Sequence, residues 1–368
     1  MENNKIANGS LLKTKSEFDI SESALACIVF IVFNILTLII LTIFGVNLKL
    51  LSDFAYYTVH AVVEALFALA ALVVAKAKKK NLIEAAGMKM KVNGAIVGWS
   101  FLLALVSLFG FANLTNVFLA ILEKFGLSDD NLYFRTIDTF WRYLGAIISS
   151  CLFAGFAEEL LFRGVIESGF KKWGMKVAVG FSALIFMIMH GSVMQTVHQL
   201  IIGIIIGYVF YKTNNLWIGI IIHCFNNFIP ITETFLLSVV SDPSTVAEVP
   251  AEAVTPAGVG SILIDLIIAL VVAWAGYYFV SLILKKIFAE NEKLNGKKGE
   301  NETVASITVD GQEQEIEMSI DGVPAENVKE EKIKEERPKI SGGTIAMFSI
   351  AGFYLILEWI LGTISLFM

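Results

Sequence analysis

The chain has 368 residues, 56% of them hydrophobic and 17% charged, with a mean hydropathy of +0.71. That balance excludes an ordinary soluble domain and identifies a polytopic membrane protein. The net charge of −6 says little about partners, because much of the acidity falls in one segment, 290–337; the lipid bilayer is the expected surroundings, and no nucleic-acid partner is expected.

Residues 1–22 read as a polar tail that mixes Lys5, Lys13 and Lys15 with Glu2, Glu17, Asp19 and Glu22. The first apolar run begins too late and is too long for a cleaved signal. Runs able to cross about 30 Å of hydrocarbon at about 1.5 Å per residue follow at 24–46, 54–75, 94–114, 143–166, 175–192, 197–211, 215–237, 260–284 and 344–367. They number eight or nine, because 175–192 and 197–211 are short and nearly continuous. Lysines concentrate at 76–91, at 171–176 and at Lys285 and Lys286. The positive-inside rule puts those loops and the N-terminus on the cytosolic side, with 47–53, 115–142 and 238–259 facing outward.

The organisation expected is a cytosolic tail (1–22), N-terminal helices (23–139), a polar-bearing core (140–237), an outer loop with one helix (238–286), a charged and largely disordered cytosolic insertion (287–343) and a last helix (344–368). Within the insertion, SITVDGQEQEIEMSIDG alternates enough for a small hairpin, with turn signals at Asp310-Gly311 and Asp321-Gly322. The fold class is therefore all-α, a bundle of 8–9 transmembrane helices around a central hydrophilic cavity. Cys27, Cys151 and Cys224 all lie in apolar runs without disulfide or zinc spacing, and read as small buried hydrophobes.

Chemistry is concentrated in the core. Glu158, Glu159 and Arg163 interrupt an otherwise apolar span. An ionisable group in lipid costs at least about 2.5 kcal/mol, so three so close together imply pairing and a buried polar purpose. A structural ion pair is the plainer reading. In the next run Phe186 and His190 are four apart and share a helix face; further on, so do His223 and Asn227, with Asn226 turned away by about 100°. Each histidine alone suits a hydrogen-bonded core position, and His223 with Asn227 suits an interhelical hydrogen bond. Together they suit catalysis. A buried carboxylate with a histidine can deprotonate water, while a second histidine and an asparagine donate to an oxyanion. His198, at the edge of its span, is a weaker candidate. GxSxG and HExxH are absent.

E-E-x-x-x-R (Glu158, Glu159, Arg163), F-x-x-x-H (Phe186, His190) and H-x-x-x-N (His223, Asn227), in that order, resemble the motifs of the CAAX-protease and bacteriocin-processing family of intramembrane glutamic endopeptidases. The resemblance covers roughly 140–235. It implies that Glu158 activates water with His190 and that His223 and Asn227 stabilise the oxyanion. Glu159 and Arg163 then form a supporting salt bridge, and Phe186 packs beside the site. No cofactor is required on this reading. Zinc held by Glu158, His190 and His223 is the alternative, with a ligand set of the catalytic type. The implied substrate is a membrane-anchored, prenylated or apolar peptide or protein, in CAAX-type processing, peptide maturation or bacteriocin self-immunity. A Lys-, Ile- and Phe-rich chain leans toward a bacterial plasma membrane.

Two other readings stand beside this one. A transporter would also carry polar residues at mid-membrane, and His60 and Glu64, four apart in the second span, are its best support; otherwise they pair with each other or line the same cavity. A non-catalytic immunity or scaffold protein of the same fold is the third.

Overall fold

The computed structural model describes residues 18–127, 136–240, 259–296, 304–309, 312–317 and 340–364. The expected tail up to residue 17 and most of the charged insertion, including the Asp321-Gly322 turn, lie outside them.

Among the described residues, eight helices are long and apolar enough to cross a membrane, and Met175–Met189 is a shorter apolar helix. The protein is a polytopic helical membrane bundle. Helix α1 (Ile20–Ile43) begins inside the stretch read as tail. The acidic residues there cap it: the Asp19 side chain accepts from the Ser21 and Glu22 amides, and Glu22 Oε2 accepts from Asp19 N at 2.8 Å. That reciprocal capping box satisfies N–H groups that would otherwise be orphaned. Glu22 Oε1 also stands 3.7 Å from Lys80 Nζ.

After α2 (Asp53–Ala77) the lysine-rich stretch is pinned in place. It contains the short α3 (Leu82–Ala85), and Trp217 Nε1 donates to Met88 O at 2.9 Å while Asn215 Nδ2 donates to Lys91 O at 3.1 Å. Helix α4 runs from Gly94 to Lys124, well past the expected end at 114. Residues 115–124 contain no breaker, and the chain turns only at Gly126, whose φ of +78° suits glycine.

The central helix α5 is continuous from Phe140 to Trp173 and has the largest buried share of any span, 56% of its most apolar window. A left-handed Gly174 joins it to α6 (Met175–Met189). Helix α7 (Thr196–Thr213) ends at Asn214 in the αL conformation, and α8 (Leu216–Val240) continues through Pro230. Helix α9 (Val259–Asn295) outruns its expected end at 284, because the amphipathic FAENEKLN segment extends the same helix. Helix α10 is Gly342–Ile364. In the insertion, β1 (Val304–Val309) and β2 (Gln312–Glu317) pair antiparallel, with Val304 opposite Glu317; the expected Asp310-Gly311 turn lies outside the described residues.

Packing follows membrane rules. Large apolar side chains such as Ile43, Trp274 and Phe353 are exposed on the outside, where lipid would cover them. Small residues bring backbones together inside. A Cβ on Gly110 of α4 would lie 2.9 Å from Gly276 Cα of α9. Helix α5 is enclosed by α1, α2, α6, α7 and α8. A cavity of about 570 Å³ opens between α2 and the first half of α5, lined chiefly by apolar side chains including Phe54, Val62, Trp141, Leu144, Ile148 and Phe153.

Candidate active site

Helix α5 changes its winding twice. Residues Ile147–Phe153 and Phe162–Glu167 are π-helical, and they bracket the α-helical segment Ala154–Leu161 that carries Glu158 and Glu159. A π segment leaves carbonyls without their usual i+4 partner, and in a bilayer these must be satisfied within the protein. Neighbouring helices do this. From α8, Asn227 Nδ2 donates to Ser150 O at 2.7 Å and Cys224 Sγ to Cys151 O at 3.0 Å. Ser182 of α6 donates to Phe162 O at 3.2 Å, and Ser23 of α1 to Ile166 O at 2.9 Å. These bonds hold the glutamate-bearing turn between α1, α6 and α8. Contact with α8 is close: a Cβ on Gly155 would come within 2.7 Å of Cys224 Sγ.

Successive helix residues diverge by about 100°, so the two glutamates meet different neighbours. Glu159, fully buried, turns to α7 and α8. Its Oε1 accepts from Arg163 Nη1 at 3.0 Å and from His223 Nδ1 at 2.8 Å. Arg163 Nη2 donates to Gly203 O at 3.1 Å. The guanidinium also lies over the Phe186 ring, with Cζ 4.7 Å from its centroid. Phe186 thus sits in the midst of the cluster: its centroid is 4.7 Å from that of His190, 5.9 Å from that of His223 and 5.0 Å from that of Phe162.

Glu158, 5% exposed, lies in the segment of α5 that packs on α2, where Glu64 is its neighbour. On α2 itself, His60 Nε2 is 3.9 Å from Glu64 Oε1. The histidine and glutamate of the second span therefore stand next to the central site, and α2 contributes to it.

The ring nitrogens can be assigned by what they touch. His190 Nδ1 is 2.8 Å from Phe186 O, and a carbonyl only accepts, so Nδ1 carries the hydrogen and Nε2 of the neutral ring is an acceptor. His223 Nδ1 likewise donates to the Glu159 carboxylate. Its Nε2 donates as well when the ring is an imidazolium. Asn226, expected to turn away, is buried, and its Nδ2 contacts His198 Nε2 at 3.2 Å and Asn227 Oδ1 at 3.3 Å. The helical phase was right, but α8 is packed on more than one side, so 100° leads into α7. Asn226, also in contact with His198, donates to Asn227 Oδ1, and Asn227 spends one N–H on Ser150 O, which leaves its other N–H for a ligand.

Among the described residues no three His, Cys, Asp or Glu side chains converge as a metal-binding group. The placement of Glu158, His190 and His223 does not fit a shared zinc ion.

Residues 140–229 match the family model described as "Type II CAAX prenyl endopeptidase Rce1-like". The matched stretch runs from the start of α5 into α8 and contains all three motifs, so the resemblance read from their order and spacing is borne out there. No curated protein and no solved structure matches the chain.

Proposed function

We propose that the protein, with a domain of the CAAX prenyl endopeptidase type over residues 140–229, is an intramembrane endopeptidase that cleaves membrane-associated peptides with an activated water. The observation that carries this reading is the division of labour between adjacent glutamates. Each glutamate has a buried Oε2 without a protein donor, but Glu159 is tied through Oε1 to Arg163 and His223, whereas Glu158 accepts from no protein donor among the described residues. The first is a clamp; the second has capacity left for water.

In the mechanism we infer, water is held between Glu158 and the acceptor Nε2 of His190. Glu158 takes its proton as the oxygen attacks the scissile carbonyl. The developing oxyanion receives N–H donors from His223 Nε2 and the free N–H of Asn227. Collapse breaks the C–N bond, and the amine leaves with the proton from Glu158. Arg163 and Glu159 act on this chemistry through His223, by fixing its ring.

Substrates are membrane-anchored, prenylated or apolar peptides, which suits a site enclosed by apolar helices. The groove between α2 and α5 reaches from Asp53 to Ala65, the residue after Glu64, and offers apolar surface close to the carboxyl pair. We place the protein in a bacterial plasma membrane from its Lys-, Ile- and Phe-rich composition, and its N-terminus on the cytosolic side from its lysine distribution.

The test is incubation of purified protein and of Glu158→Gln with two reporter peptides, one carrying a prenylated cysteine three residues from its C-terminus and one unprenylated, with products read by mass spectrometry. Cleavage by the wild type and none by Glu158→Gln is expected. Equal cleavage by both proteins would overturn the assignment of Glu158.

A further inference from the structure

Glu64 has no place in the mechanism above, yet it neighbours Glu158 where α2 packs on the Ala154–Leu161 segment of α5. Both side chains are largely withdrawn from solvent, and Oε2 of each is buried with no hydrogen-bond partner among the described residues. His60 Nε2, 3.9 Å from Glu64 Oε1, is too far for a hydrogen bond and does not supply the missing donor. Two ionised carboxylates so placed would repel each other and leave both oxygens unsatisfied. One proton held between them removes both problems. The other charged groups near the pair, Glu159 and Arg163, are already joined to each other.

We propose that Glu64 is a positioning residue of this site: as a carboxylic acid it donates a hydrogen bond to the Glu158 carboxylate and holds it aimed at the attacking water. The proposal rests on Glu158 being the base. During hydrolysis the water oxygen bonds to the carbonyl carbon, the C=O π pair moves to oxygen, and the water's proton passes to Glu158. When the C–N bond breaks, its electron pair stays on nitrogen, which takes that proton. Glu64 keeps its own proton throughout, so the pair begins and ends the cycle with one.

A glutamine at position 64 can donate the same hydrogen bond, whereas a leucine cannot. The full chain is therefore reconstituted in lipid nanodiscs as wild type, Glu64→Gln, Glu64→Leu and Glu158→Gln, with the prenylated reporter peptide as substrate. Glu64→Gln is expected to keep kcat within about 5-fold of wild type, while Glu64→Leu loses about 100-fold in kcat with KM nearly unchanged, the size of effect that general-base catalysis supplies. Infrared difference spectroscopy, which needs no turnover, is expected to show one protonated carboxyl fewer in Glu64→Gln than in wild type. Full activity of Glu64→Leu, inactivity of Glu64→Gln as deep as that of Glu64→Leu, or a spectrum with no carboxyl lost overturns the proposal. Should Glu64→Leu fail to fold, the kinetics and spectrum of Glu64→Gln decide it. Undiminished cleavage by Glu158→Gln would overturn the base assignment instead, and the infrared spectrum would still report whether the pair holds a proton.

Discussion

Nδ1 of His223 stands 2.8 Å from Oε1 of Glu159, the same oxygen that accepts from Arg163. One carboxylate oxygen thus ties α8 to α5, and replacing it disturbs both partners. Glu159→Gln is expected to lose activity and also to destabilise the bundle by about 3–5 kcal/mol, because Arg163 is left as a buried charge without its counter-ion. Glu158→Gln should lose activity with little change in stability. Thermal melting of the two variants in the same detergent separates these outcomes.

Arg163→Lys is expected to fail as a conservative replacement. The guanidinium reaches Glu159 and Gly203 O with different nitrogens and covers the Phe186 ring, which a single ammonium cannot reproduce. A stability loss of about 1–3 kcal/mol is expected from the unmet hydrogen bonds. Urea or thermal unfolding in detergent measures it.

Asn226→Leu should cut kcat by about 5-fold while leaving the fold intact. Its amide helps hold the Asn227 carbonyl oxygen, and losing one such neutral hydrogen bond is worth about 1 kcal/mol of positioning. If kcat is unchanged in steady-state assays, Asn227 is held adequately by Ser150 O alone.

Gly155→Ala should destabilise the contact between α5 and α8 by about 1–3 kcal/mol, since the new methyl would press on Cys224 Sγ. Cys224→Ala makes room for it, so the double variant should recover part of the loss. A double-mutant cycle in melting free energy would show that coupling.

The motif residues were legible because ionisable and amide groups at membrane depth stand out against Leu, Ile and Phe, and because their i, i+4 spacings define faces. Span number was legible from apolar length. Several ends were not, since α4 stops where Gly126 permits a turn and not where hydropathy falls, and the Asp19 cap looks like any acidic tail residue. Periodicity gives the direction of a side chain on its own helix but not what lies there, which is why the sequence turns Asn226 away from Asn227 without showing its partner His198. The same gap hid the link from Glu64 to Glu158, a contact between distant helices. The π segments have no sequence signature here; they are visible only as carbonyls taken by serine, cysteine and asparagine side chains.

Those segments also set where chain length can vary. A π stretch amounts to one extra residue absorbed by a helix without breaking it. Deleting one residue between 147 and 153 would let a tighter ladder close and turn the preceding half of α5 by about 100° against Glu158. Tyr143 would leave Thr232, now 3.1 Å away, and Arg142 would leave Asp53, now at 2.9 Å. Insertions and deletions within this helix should therefore be as damaging as active-site substitutions, even where every side chain they remove faces lipid.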